Sequence, residues 1–327
     1  MSWIEIIYAM LNSALLFSIP LMIVALGGMF AEKSGVINIA LEGIMIFGAF
    51  VSILFIYYMQ LWFPSMSPSI LLLIASITAM IAGVAFSSLL AFSAINMKAN
   101  QTIGGTALNL LAAPLVIFIA RAIPRGNGVP TRNIQFVQNF MIQKVPFLGD
   151  IPIIGPILFQ NVNIMTYLGF LFLIIAYIVI YKTKFGLRLS ACGEHPGAAD
   201  SVGVNVKKMR WTGTLISGAL GGLGGLVFVI SSSTSFGGDV AGYGFLALAV
   251  MIFGQWKPHK ILFASLFFGM AKAIANKYTL FPGLDTANVG NLFEMLPFVA
   301  TLLVLIFTSK KSRAPKAEGI PYDQGSR

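Results

Sequence analysis

The chain has 327 residues, 57% hydrophobic and only 10% charged, with a mean hydropathy of +0.87 and a formal net charge of +10. A soluble domain carries about 25% charged residues and has no core large enough to hide this much apolar surface, so a soluble enzyme or regulator is excluded. The basic residues are scattered over connections rather than gathered on one element, which is a pattern of membrane-protein inner loops and not of a nucleic-acid reader.

A helix crosses about 30 Å of hydrocarbon with about 20 apolar residues. Apolar segments of roughly this kind fall near 4–30, 36–59, 70–95, 103–122, 163–181, 211–230, 243–256, 261–276 and 294–308. They predict an all-α polytopic membrane protein with about 8–10 transmembrane helices. The first segment lacks a basic leader and a small-residue cleavage site, so it reads as a retained span rather than a signal peptide.

The second segment, "SGVINIALEGIMIFGAF" at 34–50, carries Asn38 and Glu42 four residues apart. On a helix both would share one face. A carboxylate inside a span costs roughly 2.5–3.5 kcal/mol on insertion scales, so Glu42 is expected to face protein or water. Two readings stand: a residue of a solute pathway, or a hydrogen-bonded lock between helices.

Next comes "NMKANQTIGGTALNLLAA" at 96–113. Thr102, Thr106 and Asn109, spaced by four and three, form a polar stripe that either lines a conduit or bonds a neighbouring helix. The stretch 121–162, rich in Pro, Gly and Asn, is the longest non-spanning segment and reads as an external connection or cap.

The connection 182–210 is basic, and within it "GLRLSACGEHPGAADSVGVNV" offers a short surface helix. Pro196 suits its first position, Ala198, Ala199 and Asp200 its body, and Gly203 its end. Such a helix between two spans suits docking into a partner's cleft, and a plain basic loop near anionic lipid is the alternative. In "SGALGGLGG", Gly218 and Gly222, and Gly221 and Gly225, are spaced for close helix packing. "SSSTSFGGD" at 231–239 reads as an external turn or the rim of an entrance.

The segment 243–256 is too short for a straight crossing and repeats Met-Ile-Phe-Gly, found at 45–48 and again at 251–254. Short, Gly-preceded segments in corresponding places point to a substrate path between repeats. The tail 309–327 is polar and expected to be disordered. Placing 182–210 and the tail in the cytoplasm puts fifteen Lys and Arg inside and leaves six outside: Arg121, Arg125, Arg132, Lys144, Lys272 and Lys277.

No catalytic set stands out. The only histidines, His195 and His259, fall in the predicted inner connections, and the single Cys192 excludes an internal disulfide. No Gly-Lys dipeptide exists, so the chain lacks a G-x-x-x-x-G-K-[ST] phosphate loop, and any use of ATP needs a second polypeptide. No cofactor or metal is implied.

These motifs resemble those of a known family, the membrane permeases of ATP-binding-cassette importers of the branched-chain amino acid and simple-sugar type. "SGVINIALEGIMIFGAF" is similar to the family's first-half signature and "FGLRLSACGEHPGAADSVGVNV" to its cytoplasmic coupling loop. "GYGFLALAVMIFGQWKPHKILFASLFFGMAKAI" is similar to the second-half Gly-rich signature and the following helix. "EKSGVINIALEG" and "GEHPGAADSVGVNV" look most like the nucleoside-importer branch. The resemblance, over about 14–308, implies two related halves in a permease domain, 1–308, followed by the tail.

It further implies a small solute, a cassette ATPase subunit below, a second permease subunit in the bilayer and an extracytoplasmic substrate-binding lipoprotein outside. ATPase contact is expected on Gly193, Glu194, Ala198, Ala199 and Gly203, with the 254–260 turn as a second place. Asn38, Glu42, Thr106 and Asn109 are the expected pathway lining of a plasma-membrane importer. An ion-coupled secondary transporter with Glu42 as proton carrier, or an intramembrane enzyme, are the rival classes.

Overall fold

The computed structural model of the chain describes residues 3–123, 131–137, 140–152, 154–280, 295–297, 299, 301–302, 306 and 314–323. Its first helix, α1 (Trp3–Lys33), has Glu5 in the first turn and Lys33 in the last, both matched to the helix dipole. The stretch Leu21–Leu26 of α1 is essentially unexposed, so this helix is the axis of the bundle. After it come α2 (Leu41–Trp62), α3 (Pro68–Ala91) and α4 (Gln101–Ala122), with α2 packed between α3 and α4, and α3 runs on into a wide π-type turn, Phe92–Asn96. Asn100 caps α4 by accepting the amides of Thr102 and Ile103, which explains why the helix begins there.

The segment expected outside folds into small ladders and two short helical turns, Leu148–Asp150 and Gly155–Phe159. Strand β1 (Ile134–Gln135) pairs antiparallel with β4 (Ser235–Phe236), in the register Ile134 with Phe236. Strand β2 (Met141–Lys144) pairs with β3 (Gln160–Asn163), Met141 opposite Asn163. Asn12 of α1 ties this region down by donating to the carbonyls of Ile157 and Gln160.

Next follow α5 (Ile164–Lys182), α6 (Lys184–Glu194), the short α7 (Pro196–Ser201) and α8 (Val206–Ser232). Each starts on a side-chain cap: Asn163, Thr183, His195 and Asn205 accept the amides of Thr166, Gly186, Ala198 and Lys208. After these come α9 (Tyr243–Phe253) and α10 (Pro258–Lys277).

Six helices among the described residues are long and apolar enough to cross a bilayer: α1, α2, α3 with its extension, α4, α5 and α8. At 11 residues α9 falls short of a crossing, and α10 has 20. Most of the predicted segment 294–308 lies outside the described residues.

Helix α8 sits against α1, α2 and α3 at backbone contact because its glycines remove the side chains that would hold them apart. A Cβ on Gly222 would strike the carbonyl oxygen of Ala79, one on Gly83 that of Gly218, and one on Gly225 that of Met45. Gly48 faces Gly222 just as closely. Of the two small-residue spacings seen in sequence, Gly218 meets α3, Gly221 and Gly225 meet α2, and Gly222 touches both.

The tail differs from the sequence expectation. Residues 314–323 are not loose: Pro315 and Ala317 are buried, and the Ala317 amide donates to the Gly193 carbonyl. Small and apolar residues (Pro315, Ala317, Gly319, Ile320) interrupt the polar run, and composition averaged over the whole tail hides them.

Candidate functional site

Two stretches of non-helical chain interrupt the bundle, the first inside its packed interior and the second partly exposed, and both end where a helix begins. The first is 34–40, between α1 and α2, with Ser34, Val36, Asn38 and Ala40 fully buried. Its turn is made by Gly35 at φ +92°, a conformation that disfavours any side chain, with the Arg210 guanidinium packed against it. The second is 233–242, between α8 and α9, with Ala241 and Gly242 both at positive φ.

Irregular backbone inside a membrane protein survives only if its polar groups find protein partners. Here they do. The Ile37 amide donates to Gln101 Oε1 at 2.8 Å. Asn109 works on both sides of the same break: its Nδ2 donates to the Ile39 carbonyl and its Oδ1 accepts the Gly43 amide, each at 2.8 Å. Asn38 Nδ2 donates to Ser217 Oγ of α8 at 2.8 Å.

Glu42 joins the two breaks. Its carboxylate accepts the Gly242 amide at 3.0 Å and the Gly244 amide at 2.6 Å, so it caps the N-terminus of α9 from the first turn of α2. A helix start is a site for negative charge, because its amides point outward unpaired. The approach is tight: a Cβ at Gly244 would strike the Glu42 backbone. Glycine is therefore required there.

The four expected lining residues separate in space. Asn38 lies before α2 begins, so it and Glu42 do not share a helical face as the four-residue spacing predicts; the Gly35 turn delays the helix to Leu41. Thr102 and Thr106 lie on the exposed side of α4, the Thr106 hydroxyl donating to the Thr102 carbonyl, whereas Asn109 turns toward α2. Seven positions put Asn109 about 20° from Thr102 on the helix wheel, so the three share one face, and it is only the Asn109 end of that face that the first break and α2 cover. The Ser-rich segment holds the outer ladders, with Asn163 Nδ2 donating to Ser231 Oγ.

The expected coupling residues also fall into two sets. Glu194, Ala198 and Gly203 are exposed, as are Leu187 and Val202 at 72% and 79%, so α6 and α7 present an open, partly apolar face. Gly193 and Ala199 are buried instead, and Gly193 lies under the Lys33 carbonyl, where no side chain fits. A cleft of about 520 Å³ runs between α6, α7 and α8, with Arg188, Ala199, Gly203 and Lys208 among its lining. The 254–260 turn holds Trp256, whose indole Nε1 donates to Glu32 Oε2.

The profile of the branched-chain amino acid transport system / permease component family matches residues 10–305. The chain belongs to this permease family. Over its whole length it is 40% identical to the guanosine ABC transporter permease protein NupQ of Bacillus subtilis, covering all of that protein. It is 36% identical to the nucleoside ABC transporter permease protein NupC of Lactococcus lactis, over 98% of this chain and 99% of the relative. A more distant relative is the putative glucose ABC transporter permease protein TsgC13 of Haloferax volcanii, 25% identical over 91% of each chain. No solved structure matches.

Within the permease, sequence reasoning missed Gln101, Ser217 and Trp256. Each bonds a residue at least 64 positions away. Neighbouring letters carry no signal for such a pairing. Asn38 Oδ1 and Gln101 Nε2 are buried without a hydrogen-bond partner among the described residues. Among those residues no cluster of three or more His, Cys, Asp or Glu could hold a metal.

Proposed function

We propose that this permease is the membrane subunit of an ATP-driven importer and that its solute is a nucleoside. The observation that carries the solute class is the end-to-end likeness to a guanosine permease and a nucleoside permease at 40% and 36% identity. The family implies an ATPase and a binding protein as partners. The chain's lack of a phosphate-binding loop agrees with ATP being hydrolysed elsewhere.

The basic face, with Lys33, Lys182, Lys184, Lys207, Lys208 and Lys257, is read as cytoplasmic. There the exposed surface of α6 and α7, with Glu194, Ala198 and Gly203, receives the ATPase, and Gly193 and Ala199 hold that surface in place. A short rigid helix pair suits this role because it transmits a push without bending.

The two breaks form the gate. The first leads in from the basic face and the second from the opposite one, so they are an inverted pair meeting at Glu42. Alternating access then amounts to the two helix bundles rocking about this junction as ATP binds and leaves. Asn38 and Gln101, each with one amide atom unpaired among the described residues, offer an uncharged acceptor and donor suited to a nucleoside's base and ribose, and Asn109, whose amide holds Ile39 and Gly43, shapes the path beside them. Glu42 holds the gate rather than carrying protons. Thr106 faces away from this chain's core, toward a second permease subunit, and lines the path between the two.

The test is uptake of labelled guanosine by cells that carry the complete importer, with and without the ATPase gene. Loss of uptake without the ATPase, and competition by nucleosides but not by glucose or leucine, is the expected result. Uptake that persists without the ATPase rejects the reading, and competition by glucose alone moves the solute class to sugars.

A further inference from the structure

Three lysines from separate helices meet where α5 hands over to α6. Lys33 ends α1, Lys182 ends α5 and Lys184 begins α6, and all three line one cleft of about 490 Å³. Thr183 and Ser190 add hydroxyls to the lining, and Tyr181 of α5 adds an aromatic ring. Among the described residues none of the three lysines makes an ion pair. Glu194 attracts Lys33, and Lys257 repels it.

From the cleft an apolar stripe runs back along α5. Tyr181, Ile178, Ile174 and Leu171, spaced by three, four and three, share one face and are 44–55% exposed. The ring of Tyr181 stands 5.0 Å from that of Tyr177. Amphipathic aromatics of this kind sit at headgroup level in a bilayer. Since α5 is one of the spanning helices, its lysine-bearing end lies at the membrane surface with the stripe inside the hydrocarbon.

We propose that this cleft seats one anionic phospholipid, its phosphate on Lys33, Lys182 and Lys184 and an acyl chain along the α5 stripe. The inference goes beyond the importer reading and stands whichever solute is carried. Three ammonium groups without a paired carboxylate suit a phosphate, whereas a zwitterionic headgroup would bring a fourth cation among them. The stripe selects a lipid over a soluble anion, because free phosphate has nothing to cover Ile178 and Ile174. An acidic patch on the ATPase subunit is the other candidate occupant. The ATPase contact expected at Glu194 lies at the far end of α6, about 15 Å from Lys184 at 1.5 Å per residue. Thr183 is the single residue between α5 and α6, so a seated lipid holds the corner from which the coupling helices project.

The test uses the complete importer in phosphatidylcholine nanodiscs with a trace of phosphatidylglycerol carrying a diazirine near the head of one acyl chain. A matched phosphatidylcholine probe serves as reference, and adducts are mapped by peptide mass spectrometry. Each lysine at an anionic surface tightens binding about fivefold, so three give a preference of about a hundredfold for the anionic probe on residues 171–190. K182Q/K184Q should reduce that preference to about fivefold, and K182R/K184R should keep it. K207Q/K208Q removes the same charge from the same face outside the cleft and should also keep it.

Adducts spread evenly over the exposed faces of α3, α4 and α5, or an equal loss in both glutamine variants, overturn the seat in favour of general surface attraction. An adduct present in the permease alone but lost in the complete importer assigns the lysines to the ATPase and overturns it too. Displacement of the probe by millimolar inorganic phosphate overturns it in favour of a soluble anion. None of these results alters guanosine uptake, which tests the importer reading separately.

Discussion

Replacing Glu42 separates a gate-holding carboxylate from a proton carrier. The carboxylate satisfies two buried amides, those of Gly242 and Gly244. A buried amide left without a partner costs about 1–3 kcal/mol, so Glu42→Ala, which strips both, is expected to cost about 2–6 kcal/mol. Glu42→Gln keeps one acceptor oxygen and turns the other into a donor facing an amide, at about 1–3 kcal/mol. The order of melting temperature in the purified protein is therefore wild type, then Gln, then Ala. Uptake by Glu42→Gln in the complete importer should fall by no more than the folded fraction falls. If Glu42→Gln melts like the wild type and yet abolishes uptake, the carboxylate carries charge or protons and the capping account is wrong.

Asn109→Ala frees the Gly43 amide and the Ile39 carbonyl together, so chemical or thermal unfolding should show a loss of about 2–6 kcal/mol. Thr106→Ala should leave stability within about 0.5 kcal/mol, because its hydroxyl only bonds its own helix, while raising the KM for uptake. Gly222→Leu puts a side chain into the backbone contact with Ala79 and Gly83, and the membrane-inserted yield of folded protein should collapse. Cys192 is unexposed with its thiol pushed up to about 11, so at pH 8 only about one in a thousand would be thiolate; maleimide should label it only after denaturation.

Much of this arrangement is legible in the letters. Hydropathy is enough to find the long helices, since every span must satisfy its own backbone inside lipid. Pro196, the cap-forming His195 and Gly203 mark the small helix α7 within a residue or two. Gly203 stands at φ +84°, the conformation that a helix-ending glycine supplies.

What the letters conceal is pairing at a distance. A glutamate four residues after an asparagine suggests one face, but Gly35 interposes a turn and only the fold reveals that Glu42 serves amides 200 positions away. The polar stripe of α4 is real for Thr102, Thr106 and Asn109, but the letters do not say that a neighbour covers only its Asn109 end, where the amide bonds Ile39 and Gly43, and leaves the threonines exposed. The tail shows the opposite failure. Its average polarity reads as disorder, and the specific sites for Ala317, Gly319 and Ile320 exist only once α6, α8 and the first break are assembled.

The most direct measurement is guanosine accumulation in proteoliposomes, made with the permease alone and with its ATPase, second permease subunit and binding protein. Accumulation against a gradient in the complete assembly, dependent on ATP and indifferent to a collapsed proton gradient, is the result that follows from a gate worked by a partner. Uphill accumulation by the permease alone would contradict it.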